Sequence, residues 1–86
     1  MHYERYELTP RHDRCKSFWH KAYVEVMGTT KTLYSYNTRV VSISEQGVEF
    51  TQDAWYSRTT RRHVLEFCRQ ENIPNPYDKK RQVWFT

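Results

Sequence analysis

The sequence predicts an α+β fold: a small antiparallel sheet of about four strands, one helix packed on it, and an irregular N-terminal arm. Three observations predict it. Between Ser17 and Thr51 the apolar residues recur every second position, in short runs broken by turn signals. After Ser57 the period changes to 3.6. Ahead of Ser17 there is no clean period. With 86 residues the chain makes one domain, near the lower limit of what folds without staples.

Residues 1–16 are the arm, in which His2–Glu7 is short edge-strand material and Pro10 interrupts anything longer. From Ser17 the alternation sets in. Phe18, His20, Ala22, Val24 and Val26 point one way, and Trp19, Lys21, Tyr23 and Glu25 the other, which predicts a strand. Gly28 opens the turn "GTTK", and "TLYSYNT", rich in strand formers, pairs back as a hairpin. "RVVSIS" gives a third strand with Val41 and Ile43 on one face. "EQG" is a turn, and "VEFT" is a fourth strand with Val48 and Phe50 inward. The helix starts with Ser57 as its cap. Val64, Phe67, Cys68 and Glu71 form its buried stripe, and Asn72 and Pro74 end it. "NPYDKKRQ" is a loop, and "VWFT" is a short strand that docks on the sheet edge. The core of the domain is therefore 17–72 and the tail 73–86.

Hydrophobic residues make up 37% of the chain, so the core is small. A few aromatic rings, each burying about 150–250 Å², must supply much of it. Two cysteines, no signal peptide and no apolar run near about 20 residues predict a reduced cytoplasmic protein without a membrane span. The net charge is +4, and its distribution says more than its size. Residues 1–56 hold seven basic and seven acidic side chains. Residues 57–86 hold seven basic and three acidic ones. A positive field confined to the helix and tail suits an acidic protein surface or a nucleic acid, or is simply a solvated face.

Catalytic patterns are lacking. With two glycines the chain has no phosphate loop, and it has neither a nucleophile elbow nor His-Glu-x-x-His. Cys68 and His63 sit five apart on the helix and face different ways. The sequence therefore predicts a non-enzymatic protein. Zinc is the sharper possibility: His12 and Cys15 stand three apart in "RHDRC", and with Cys68 and His20 (or His2 or His63) they make a Cys₂His₂ set that would pin the arm as one structural zinc site. In the bland alternative Cys68 is a small core residue and the histidines are surface groups. His63 has two readings as well, a buried imidazole bonded to the sheet or a member of an anion site. For recognition, Arg58, Arg61, Arg62 and Arg69, with Trp55 and Tyr56 beside them, are the candidate partner- or anion-binding residues. Lys79, Lys80 and Arg81 form a second basic cluster.

"SFWHKAYV", "TLYSYNTRV" and "YSRTTRRHVLEFCRQ", in that order, resemble a family of small uncharacterised proteins of bacteriophages, mobile elements and gut bacteria. The resemblance covers residues 17–72 and carries no chemistry of its own. It implies an accessory gene of a phage or mobile element, a setting in which small anti-CRISPR proteins occur. The implied function is a non-enzymatic inhibitor, monomer or homodimer, in the cytoplasm of a bacterial host. It would bind a host defence protein such as a CRISPR effector nuclease and block nucleic-acid loading or action. A small nucleic-acid-binding accessory or regulatory protein is the alternative.

Overall fold

The computed structural model describes residues 3–55 and 57–77. Five strands form one antiparallel sheet in chain order: β1 (Tyr3–Glu7), β2 (Ala22–Met27), β3 (Thr30–Ser35), β4 (Thr38–Ser44) and β5 (Gly47–Phe50). A 3₁₀ turn (Gln52–Trp55) leads to the helix α1 (Arg58–Gln70). The class is the expected α+β, with five strands rather than four, because the arm contributes β1 at the edge. The expected strand "VWFT" lies outside the described residues, as do His2, Tyr56 and the Lys79–Arg81 cluster.

Strand alternation decides which face is covered. Ala22, Val24 and Val26 stand opposite Ser35, Leu33 and Lys31. Leu33 and Lys31 face Val41 and Ile43, which in turn face Phe50 and Val48. Ala22, Val24, Leu33 and Val41 from this face are buried in one cluster with Val64, Phe67 and Cys68 of α1. Each fully buried aliphatic or aromatic side chain contributes about 1.5–3 kcal/mol. The other face carries Tyr23, Glu25, Thr32 and Tyr34. Between Leu33 and Tyr34 the register slips by one residue, which leaves Val40 as an extra residue in β4. That bulge lets two sequence neighbours, Val40 and Val41, both be buried.

The helix begins as expected. The Ser57 hydroxyl accepts the Thr60 N–H at 3.1 Å, satisfying a first-turn donor. It ends at Asn72, whose φ of 60° is left-handed. The Ile73 N–H donates to the Cys68 carbonyl at 2.7 Å, and the Asn72 N–H to that of Arg69 at 3.4 Å, the bonds of a Schellman end. Glu71, expected on the buried stripe, is instead the C-cap residue and pairs with Lys31 at 2.9 Å.

Two expectations about the first third of the chain are corrected. The strand predicted from Ser17 starts at Ala22. Ahead of it, Trp19 and His20 have φ of 54° and 60°, and the Lys21 N–H closes a tight turn onto the Phe18 carbonyl at 3.0 Å. The arm is also no appendage. Leu8 is 1% exposed, and its N–H bonds to the Ala22 carbonyl. The segment after it runs along the flank of α1. There Gln70 donates to the Thr9 carbonyl at 2.7 Å, and Arg69 to that of His12 at 3.3 Å. Helix and arm together are the layer that covers the sheet.

Candidate functional site

The three stretches by which the sequence was grouped come together around His63. This side chain is 1% exposed. Its Nδ1 lies 2.8 Å from the Ser35 hydroxyl of β3, and Phe18 meets the ring edge-on at 4.5 Å. Ser35 also contacts the Thr60 hydroxyl at 3.3 Å, and Thr60 that of Ser57 at 3.1 Å. Burial first, then the neighbouring Arg62 charge, pushes the His63 pKa down to about 4. The imidazole is therefore neutral at pH 7. The Ser35 and Ser57 hydroxyls both donate to the Thr60 hydroxyl, and the direction of the Ser35–His63 contact follows the imidazole tautomer. Of the two readings of His63, the buried imidazole bonded to the sheet is the one realised. Beside this network a cavity of about 410 Å³ is lined by Ser35, Tyr36, Thr38, Val40, Asp53, Ser57 and Thr60.

Two tight turns lie side by side at this end of the sheet. In the first, Trp19 and His20 are both left-handed; in the second, between β3 and β4, Tyr36 and Asn37 are, with φ of 52° and 66°. The Tyr36 N–H donates to the Lys21 carbonyl at 2.8 Å and ties the turns together. Positive φ at two successive residues is the pattern of a type I′ turn, which favours glycine and asparagine. An aromatic residue there carries a conformational cost of roughly 1–2 kcal/mol. The first turn is held against that cost from several sides. Glu7 accepts the His20 N–H at 3.0 Å through one carboxylate oxygen, and the His20 ring sits 3.0 Å from the other. Ser17 accepts the Trp19 N–H at 2.9 Å. The result is an indole 71% exposed, with no ring or cation partner among the described residues. Tyr36 is 47% exposed, and the Lys21 ammonium sits 5.5 Å from its ring centre.

The arm also changes the electrostatics. Residues 9–21 and 57–71, the arm and helix layer, hold eight Lys and Arg against three Asp and Glu. Residues 3–8 and 22–55, the sheet and the 3₁₀ turn, hold three against six. The fold thus sorts a mixed first half into an acidic sheet and a basic layer. Within that layer Arg62 forks onto Asp13, with Nε–Oδ2 at 3.0 Å, and also donates to Cys15 Sγ. The guanidinium, with the Cys15 N–H, holds the Asp13 carboxyl well below its usual range. Glu66 is 2% exposed and is consumed internally, accepting the His12 N–H at 2.8 Å and Gln70 at 2.7 Å. Burial pushes its pKa up, but donation from Gln70 and from the backbone N–H groups of His12 and Arg11 outweighs this and lowers it. Arg11, Arg14, Lys16, Lys21 and Arg58 enter no ion pair among the described residues.

The predicted site residues therefore separate. Arg58 is exposed and has no ion-pair partner among the described residues, and Arg61 is exposed with its guanidinium 5.5 Å from the Tyr77 ring centre. Arg62 and Arg69 are not free; they fasten the arm. Trp55 is half-buried between Phe50 and Tyr77 at 6.1 and 5.5 Å, so it belongs to the packing rather than to an exposed anchor. Among the described residues the exposed tryptophan is Trp19, which alternation had placed inside a strand. Arg11, Arg14 and Lys16 were missed because the balanced charge of residues 1–56 hid where the arm would fold. The proposed zinc ligands are not gathered: among the described residues no three His, Cys, Asp or Glu side chains converge. Cys15 Sγ faces Arg62, the His20 ring faces Glu7, and His12 uses its backbone groups on the helix. Burial pushes the Cys68 thiol up to about 12. Hydrogen bonds to the helix hold the arm.

Comparison with known proteins places this chain in a family. It belongs to a family of unknown function (DUF8033), whose model matches residues 6–85, taking in arm and tail as well as 17–72. No curated protein and no solved structure matches it. No helix among the described residues is long and apolar enough to cross a membrane.

Proposed function

We propose that this protein is a non-enzymatic binding protein that docks on an anionic macromolecule through its arm and helix layer. The observation that carries the reading is the sorting of charge. Eight basic side chains collect in the layer while the sheet keeps six of the acidic ones. Such an asymmetric field steers an anionic partner toward one side and repels it from the other. Arg11, Arg14, Lys16 and Arg58 keep their charges available for that partner, whereas Arg62 and Arg69 hold the surface in shape. The Ser35 and His63 pair does not oppose a non-enzymatic role, since no carboxylate is bonded to the imidazole among the described residues.

The narrower form of the proposal is an inhibitor of a bacterial defence nuclease of the CRISPR type, acting by occlusion. Its support is the resemblance to phage and mobile-element proteins. Retention of the pure protein on immobilised heparin tests the general reading. Elution that shifts steeply with salt is expected, and no retention at about 50 mM salt overturns it. Cleavage assays with purified effector nucleases test the narrower form. Inhibition that Arg14→Glu relieves supports it, and unimpaired cleavage across the panel rejects it.

A further inference from the structure

We infer that the anionic partner is a single-stranded nucleic acid, with Trp19 as the stacking platform for a base. The inference rests on the proposed cationic docking layer and names the chemistry of what it binds. Trp19 and His20 both occupy left-handed backbone, with φ of 54° and 60°. Glu7 and Ser17 hold them there through three polar contacts. A turn built only to reverse the chain would do better with glycine or asparagine. What this turn achieves instead is to lift an indole clear of the surface, 71% exposed and without a ring partner among the described residues. Strain that the surroundings over-determine is a mark of a working position.

The neighbours of Trp19 then select the ligand. Lys21, two residues on, carries its ammonium over the Tyr36 ring, which stands on a second left-handed turn and lies 5.8 Å from the His63 ring. An exposed indole with a cation two residues on matches a base and its adjoining phosphate. Every base has a stackable face, so the match is to the polymer rather than to one sequence. The same layer carries Lys16, Arg14 and Arg58, exposed cations without ion-pair partners among the described residues, which can meet further phosphates. An acidic polypeptide would use the same cations but has no need of the raised indole. In a duplex the bases are stacked on one another and cannot lie on an indole without being unstacked.

Fluorescence anisotropy tests this with three probes: a labelled oligothymidylate of about 15 nucleotides, a duplex of similar length, and poly-L-glutamate. The single strand is expected to bind most tightly. Trp19→Ala should weaken it about tenfold while Trp19→Phe keeps most of the affinity. Circular dichroism of each variant establishes that the fold is intact. Equal binding of single strand and duplex, with Trp19→Ala without effect, overturns the inference and leaves the cationic docking layer standing. Binding of poly-L-glutamate alone, lost in Arg14→Glu, does the same. Failure of all three probes at low salt overturns both.

Discussion

Removing the Glu66 carboxylate should release the arm. Glu66→Ala deletes the acceptor for the His12 N–H at 2.8 Å and for the Gln70 side chain at 2.7 Å, together with a bond from the Arg11 N–H. Glu66 itself is 2% exposed, so the carboxylate lies where water does not replace it. Hydrogen bonds to a charged group contribute about 1.5–3 kcal/mol each, and donors left unpaired cost a similar amount. Part of this is regained as the arm loosens and its donors meet water, leaving a net loss of about 2–4 kcal/mol. For a domain of this size that corresponds to a fall in Tm of roughly 10–25 °C. The comparison that gives the number meaning is Asp13→Ala. It breaks the Arg62 pair, whose side chains are 18% and 47% exposed, and should cost only about 0.5–1 kcal/mol. Urea denaturation followed by tryptophan fluorescence measures both, and hydrogen exchange of residues 9–15 localises the effect. A loss in Glu66→Ala no larger than in Asp13→Ala, with exchange unchanged, would refute the reasoning that this buried carboxylate holds the arm.

Three further outcomes are expected. His63 has its pKa lowered from 6.5 to about 4, so the unfolded chain takes up the proton first. Its contribution to stability should be fully present above pH 6.5, fall as the pH drops toward 4, and level off below. Chemical denaturation between pH 4 and 8, compared with His63→Ala, checks the window. Trp19→Gly removes the conformational cost of a left-handed tryptophan and should be neutral or stabilising by up to about 1 kcal/mol, while anion binding falls; thermal melts and anisotropy on one sample separate the two. Asp13→Ala frees the Arg62 guanidinium and should steepen the salt dependence of polyanion binding by about one unit of slope.

What the sequence disclosed, and what it hid, follows from the range of the forces involved. The hairpins from Ala22 to Phe50 were legible because alternation and turn residues act over a few positions. So was the Ser57 cap, with its bond three residues on, and the stripe of Val64, Phe67 and Cys68. The path of the arm was not legible. Asp13 and Arg62 are 49 residues apart, and His12 and Glu66 54, and nothing local in "RHDRC" or "RHVLEFCRQ" indicates that these groups pair. Glu66 reads as a solvated helix charge until the arm covers it. The Trp19 turn was hidden for a different reason. Neither Trp19 nor His20 belongs to the residues that ordinarily mark such a turn, so alternation ran straight through it as strand. The open helix start with its arginines was visible. That Arg62 and Arg69 serve the arm, and that the arm brings Arg11, Arg14 and Lys16 in exchange, depends on the tertiary structure.

The central claim is that the side of the molecule matters more than its net charge. Two reversals change the formal charge equally and test it directly. Arg14→Glu lies in the arm and helix layer; Arg39→Glu lies on β4 in the acidic sheet. Both side chains are exposed and have no ion-pair partner among the described residues. Affinity for a polyanion, measured for both variants across a salt series, should fall severalfold in Arg14→Glu with a shallower salt slope, and stay near the parent value in Arg39→Glu. Equal losses in the two variants would mean that net charge alone attracts the polyanion, and would contradict a docking layer on the arm and helix.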